Sequence, residues 1–129
     1  MLRLPLTIVQ AEAARLNLRR FAREAWPYVD PAKLIWGWHM DAMCDHLSYV
    51  STGDVRFLLI NIPPRTSKSK LTSVIYPVWD WLQDPKLQFL TASYALQLSM
   101  RDALFSRRLI ESTWFQQRWG HRFRFAFDE

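Results

Sequence analysis

The sequence predicts an α/β fold with a mostly parallel sheet flanked by helices. Three observations carry that expectation. Apolar runs of strand length alternate with stretches of helical periodicity, in the order helix, helix, strand, helix, strand, helix, strand. The run Phe57-Leu58-Leu59-Ile60 is apolar on both faces, as a central parallel strand requires. Turn residues separate the pieces: Ser51-Thr52-Gly53-Asp54, Pro63-Pro64 and Asp84-Pro85.

The first element is a helix over residues 7–25, TIVQAEAARLNLRRFAREA. Ala14, Leu18, Phe21 and Ala25 form its apolar stripe. Arg15, Arg19 and Arg23 line another face at i, i+4, i+8, which reads either as a phosphate-tracking stripe or as a solvated face. Pro27 and Pro31 end it. Trp36-Gly37-Trp38-His39 then leads into a second helix, to about residue 50. Its buried face is Met40, Met43, Cys44 and Leu47, so Cys44 reads as a small core residue and not as a nucleophile. His39 and His46 lack the spacing of a metal pair on one helix.

Residues 55–62 are the strongest strand candidate, stopped by Pro63-Pro64. Residues 67–82 are sharply helical, with Leu71, Val74, Ile75, Val78, Trp79 and Leu82 on one face and Pro77 expected to kink the element. LQFLTA, residues 87–92, reads as a second strand, and Ser93 as the N-cap of a helix to about residue 111. A short helical turn over 113–119 ends at Gly120. Phe123, Phe125 and Phe127 alternate with Arg122, Arg124 and Ala126 as a third strand.

Composition bounds the function. The chain has 129 residues, enough for one small domain. Half are apolar and 15% aromatic, which excludes a disordered chain. A net charge of +5 favours an anionic partner such as nucleotide or nucleic acid, with solubility alone as the competing reading. The single cysteine excludes a disulfide within the chain and argues against a thiolate zinc site. No apolar run approaches the roughly 20 residues of a membrane span, and the start lacks the features of a signal peptide, so an intracellular protein is expected.

The chemistry concentrates in the loop after the first strand candidate, IPPRTSKS, residues 62–69. Such a loop at the start of a helix meets ligands with free N–H groups and a partial positive charge. Lys68 can reach the β and γ phosphates of a nucleotide, and the Ser69 hydroxyl can ligate Mg2+. Against the pattern GxxxxGK(S/T), both glycine positions are filled otherwise, by Ile62 and Ser67. A basic Ser/Thr loop without nucleotide chemistry is the competing reading.

Taken together, IPPRTSKSKLTSVIYPVWDWLQDP, QFLTASYALQLSMRDALFSRRLIES and WFQQRWG resemble the large subunit of tailed-phage terminases, the DNA-packaging ATPase. The likeness covers most of the chain, from about Phe21 onward. It implies a partial P-loop NTPase domain of the RecA-like (ASCE) kind: a helical lead-in over residues 1–54, then a P-loop α/β core over 55–129. It also implies ATP and Mg2+ as cofactors. Lys68 would be the catalytic phosphate contact and Ser69 the metal ligand. Pro64, Arg65, Thr66 and Ser67 would complete the phosphate loop, with Arg65 either a γ-phosphate sensor or a surface charge. Trp38 and His39 would lie on the adenine side, where the family often has Gln in place of His39; core packing is the equal reading for Trp38. Ser93, Tyr94 and Arg101 would face DNA or couple to it, and Arg101, Arg107 and Arg108 are equally read as solvated.

The implied partners are double-stranded phage DNA, the terminase small subunit, the portal of the procapsid, and further copies in a homo-oligomeric ring. The implied location is the host bacterial cytoplasm, at the portal vertex during packaging. Hydrolysis in this family also needs an Asp that holds Mg2+ and a Glu that activates water. Asp128-Glu129 follows a charge-alternating segment unlike the expected apolar strand. The family's own Asp and Glu, and its nuclease domain, would lie beyond Glu129. The expectation is therefore the front of an ATPase domain, truncated before its Walker B strand, that binds nucleotide without turning it over alone. Two other classes compete: a different P-loop helicase or translocase, and a truncated, non-catalytic module that binds DNA or a partner.

Overall fold

The computed structural model describes residues 5–122. All regular elements among these residues are helical: α1 (Leu6–Leu16), α2 (Leu18–Ala25), α3 (Trp38–Thr52), α4 (Tyr76–Gln83), α5 (Leu96–Glu111) and α6 (Thr113–Trp119). Short 3-10 turns follow α2 and α6, and a π-helical turn, Lys70–Ile75, precedes α4.

The α/β expectation is therefore overturned: the described residues contain no strand and no sheet, and the parallel P-loop sheet is not there. Residues 57–63 and 87–93 are irregular and make no strand pairing. Apolar patterning reports a demand for burial, but a strand exists only when a neighbour accepts its backbone hydrogen bonds. Among the described residues neither segment finds one. The first does not behave as buried on both faces either: Leu58, Ile60 and Ile62 pack against the core, while Phe57 and Leu59 point outward at 87% and 84% exposure. The third expected strand falls on residues 122–127; Arg122 lies in the 3-10 turn Gly120–Arg122, and the rest lie outside the described residues.

The predicted helical faces hold. Ala14, Leu18, Phe21 and Ala25 are buried, as are Met40, Met43, Cys44 and Leu47, and the whole stripe from Leu71 to Leu82. Burial pushes the Cys44 thiol up to about 12, in keeping with an inert core cysteine. One expected helix is two. The backbone turns extended at Asn17 (φ −139°, ψ 109°), whose side chain accepts from the Arg20 N–H at 3.2 Å and caps α2. Asn competes for backbone hydrogen bonds and so favours caps over helix interiors. The break leaves the Arg15 carbonyl without a helical partner, and Trp79 Nε1 and Gln83 Nε2 donate to it at 3.0 and 2.7 Å.

The helix adjusts to Pro77 by a specific route. Its ring would clash with a carbonyl one turn back. The preceding turn widens to π geometry, in which the Tyr76 N–H reaches the Leu71 carbonyl. Gly53 ends α3 in the left-handed region at φ 86°, which a residue with a Cβ enters only at a cost.

The core draws on all six helices and the π turn, and it is closed by an aromatic cluster. Phe21 meets Trp114 and Trp119 at ring-centroid distances of 5.7 and 5.6 Å, and Trp119 meets Trp114 and Phe115 at 5.3 and 5.1 Å. The arginine stripe of the first two helices is engaged with neighbouring side chains. Arg15 pairs with Glu12, Arg19 with Asp45 and Asp41 on α3, and the Arg23 guanidinium stands 4.5 Å over the Trp36 ring. Among the described residues no helix is long and apolar enough to cross a membrane.

Candidate phosphate-binding loop

Residues 63–69 leave the first extended segment and enter a helix continuous from 68 to 83. The loop's defining feature is its backbone. Arg65 and Ser67 have φ of 64° and 65°; among the described residues they are the non-glycine residues with positive φ. A residue with a Cβ pays about 1–2 kcal/mol for that conformation. Ser67 occupies the place where the phosphate-loop pattern has its second glycine, and it adopts the backbone that glycine would supply without strain. Alternation of left- and right-handed residues turns successive N–H groups toward one concave side, a geometry suited to anions. Among the described residues, the N–H groups of Arg65, Thr66 and Ser67 meet no backbone acceptor.

Thr66, between the two, is held by its own side chain: Oγ1 donates to the Pro63 carbonyl at 2.8 Å. Lys68 is half-buried and has no ionic or hydrogen-bonded partner among the described residues. It lines a cleft of about 400 Å³ together with Leu47, Val50, Leu58, Ile60 and Thr72. An unpartnered ammonium beside apolar walls is electrostatically ready for an anion. Ser69 is exposed in the first helical turn, and Pro64 is exposed at the turn. The next lysine, Lys70, is occupied by Asp30, whose carboxyl is held below the usual carboxylate range by that hydrogen bond and by the Ala32 N–H.

His39 comes to this loop and Trp38 does not join the core. His39 Nε2 lies 3.3 Å from the Thr66 carbonyl. Trp38 is 83% exposed, which removes core packing as its role. Among the described residues, Ser93, Tyr94 and Arg101 make no hydrogen bond or ion pair with the loop. Ser93 does not cap α5, whose N-cap is Ala95; its hydroxyl bonds the Ala95 carbonyl at 2.7 Å and Ser99 Oγ at 2.8 Å. Tyr94 is 95% exposed. Arg101 pairs with Asp102, and Arg107 with Glu111.

The donor set fits a nucleotide phosphate: loop amides, one free ammonium and one accessible hydroxyl. Of the hydroxyls here, that of Ser69 lies on an exposed residue. Among the described residues no group of three His, Cys, Asp or Glu side chains is placed to hold a metal. Asp128 and Glu129 lie outside the described residues.

Sequence reasoning did not anticipate a polar cluster at the C-terminal end of α3. Ser51 Oγ lies 2.9 Å from the Tyr76 hydroxyl, and the buried Asp80 carboxyl completes the group. Burial pushes Asp80 upward, opposed by hydrogen bonds from Ser51 and Tyr76. Tyr76 and Asp80, at i and i+4 on a helix with apolar neighbours, were the available signal.

No family model, no curated protein and no solved structure matches this chain.

Proposed function

We propose that the loop at residues 63–69 grips the phosphates of ATP, within a DNA-packaging motor of the tailed-phage terminase large-subunit kind. The single observation that carries the reading is the left-handed backbone at Arg65 and Ser67. Strain of this kind persists where the surroundings impose it, and it concentrates at ligand sites. In this reading Lys68 contacts the β and γ phosphates, the amides around Thr66 and Ser67 cradle them, and Arg65 senses the γ phosphate. Ser69 would hold Mg2+, which supplies charge neutralisation between phosphate oxygens when bound. The order of motifs PPRTSKS, YPVWDW and TASY supports the packaging-motor assignment, with double-stranded DNA, the small subunit, the portal and neighbouring copies as partners. Site of action would be the host cytoplasm at the portal vertex.

The experiment is titration of the chain with Mg-ATP and with Mg2+ alone, alongside Lys68→Ala and Ser69→Ala. Lys68→Ala should weaken ATP binding by tenfold or more, about 1.4 kcal/mol. Ser69→Ala should weaken it only when Mg2+ is present. ATP turnover by the isolated chain that Lys68→Ala abolishes would refute the expectation that it binds without hydrolysing.

A second reading rests on a different observation. Phe57, Leu59 and Leu90 expose apolar side chains along unpaired backbone, Leu90 at 99%. Such a surface suits a non-catalytic module that docks on a partner. DNA or protein binding indifferent to ATP and to Lys68→Ala would favour it.

A further inference from the structure

We propose that Gly37, His39 and Thr66 form a latch that sets the shape of the phosphate loop, with His39 as its positioning residue. The consequence for nucleotide affinity rests on the reading above, but the latch itself does not. Because a carbonyl oxygen only accepts, His39 Nε2 carries the hydrogen that meets the Thr66 carbonyl at 3.3 Å. The imidazole reaches that position by folding back over Gly37. A Cβ on Gly37 would stand 2.7 Å from His39 Nδ1 and 2.8 Å from Cε1, closer than atoms approach. Gly37 is therefore the residue that makes room for the ring.

Thr66 sits between the two left-handed residues, Arg65 and Ser67. Its hydroxyl is tied within the loop, to the Pro63 carbonyl. Its carbonyl is tied from outside, by the first turn of α3, 27 positions away in sequence. This outside tie opposes relaxation of the strained pair on either side. The latch also reaches the surface. Trp38, largely exposed, stands edge-on to the His39 ring at 6.5 Å, so contact at the indole and the shape of the loop share one element.

The test compares His39→Ala, His39→Asn, His39→Gln and Gly37→Ala in the full chain. The readout is the rate of tryptic cleavage at Arg65–Thr66, normalised to cleavage at Arg56–Phe57 in the exposed extended segment. Loss of the hydrogen bond should raise the normalised rate roughly fivefold in His39→Ala and Gly37→Ala. Gln carries an amide N–H to about the reach of Nε2 and should restore the wild-type rate, whereas the shorter Asn should not. The Gly37→Ala/His39→Ala double variant should be no worse than either single change, because both break one contact. Mg-ATP affinity should fall by the same factor in the same variants. Unchanged cleavage at Arg65 in both His39→Ala and Gly37→Ala, or His39→Gln behaving as His39→Ala, overturns the latch. If the cleavage pattern appears but the wild-type chain binds no nucleotide, the latch stands and the nucleotide reading falls.

Discussion

Phe21 and Phe57 are the same side chain in opposite circumstances. Phe21 is fully buried, packed between Trp114 and Trp119 at the centre of the helical core. Phe57 stands 87% exposed on a segment with no backbone partner among the described residues. Around Phe21 each helix supplies what its neighbour lacks: Trp79 and Gln83 satisfy the open end of α1, and Ser106 Oγ donates to the Val74 carbonyl inside the π turn. Around Phe57 and Leu90 the apolar side chains are exposed, and the extended backbone pairs with no strand among the described residues. The difference teaches that a helix carries its own hydrogen bonds and needs only a face to bury, whereas an extended segment depends on a neighbour for both.

The largest expected effect is in the core. Phe21→Ala should lower unfolding free energy by about 3–5 kcal/mol, read from urea denaturation. A loss below about 1 kcal/mol would mean that the aromatic cluster does not organise the fold. Next comes the loop. Ser67→Gly should raise stability by about 1 kcal/mol, because glycine enters the left-handed region without a steric cost. Ser67→Val should move the opposite way, and equal midpoints for the two would contradict a strained loop.

Asp80 adds a pH-dependent term. Its folded pKa is raised by burial, so its stabilising contribution is complete below the unfolded value and is lost as pH rises through the folded one. Asp80→Asn should therefore raise the melting midpoint relative to the wild type at pH 7. The difference should vanish below about pH 4. A variant less stable than wild type at pH 7 would show that the ionised carboxylate is needed by Ser51 and Tyr76. The smallest effect on stability is expected on the extended side. Phe57→Ser should change unfolding free energy by no more than about 0.5 kcal/mol, while reducing self-association seen by sedimentation. A cost near that of Phe21→Ala would erase the distinction between the two regions.

The same distinction explains what the sequence could tell. The faces of α3 and of the stripe from Leu71 to Leu82 were legible because helical burial is written at i, i+3, i+4 within one segment. The break at Asn17 carried a cue, an Asn inside an apolar periodicity, which the strength of the stripe overrode. The aromatic cluster of Trp114, Phe115 and Trp119 was not legible as a cluster, since its partner Phe21 is remote in sequence. The strands failed for the same reason: the run FLLI states that something must cover it and leaves the partner unspecified. At the candidate site, the position of Lys68 at a helix start was readable, and the demand for left-handed backbone at residue 67 was implicit in the missing glycine. The left-handed Arg65 and the bond from His39 to Thr66 were not, because neither leaves a local pattern.

The proposed phosphate grip of residues 63–69 depends on one charge, Lys68. The most direct measurement is calorimetric titration of Mg-ATP into the wild-type chain and into Lys68→Ala at matched ionic strength. Saturable binding is expected in the wild type, and Lys68→Ala should weaken it at least tenfold. Equal affinity in the two, or no binding by the wild type, would contradict it.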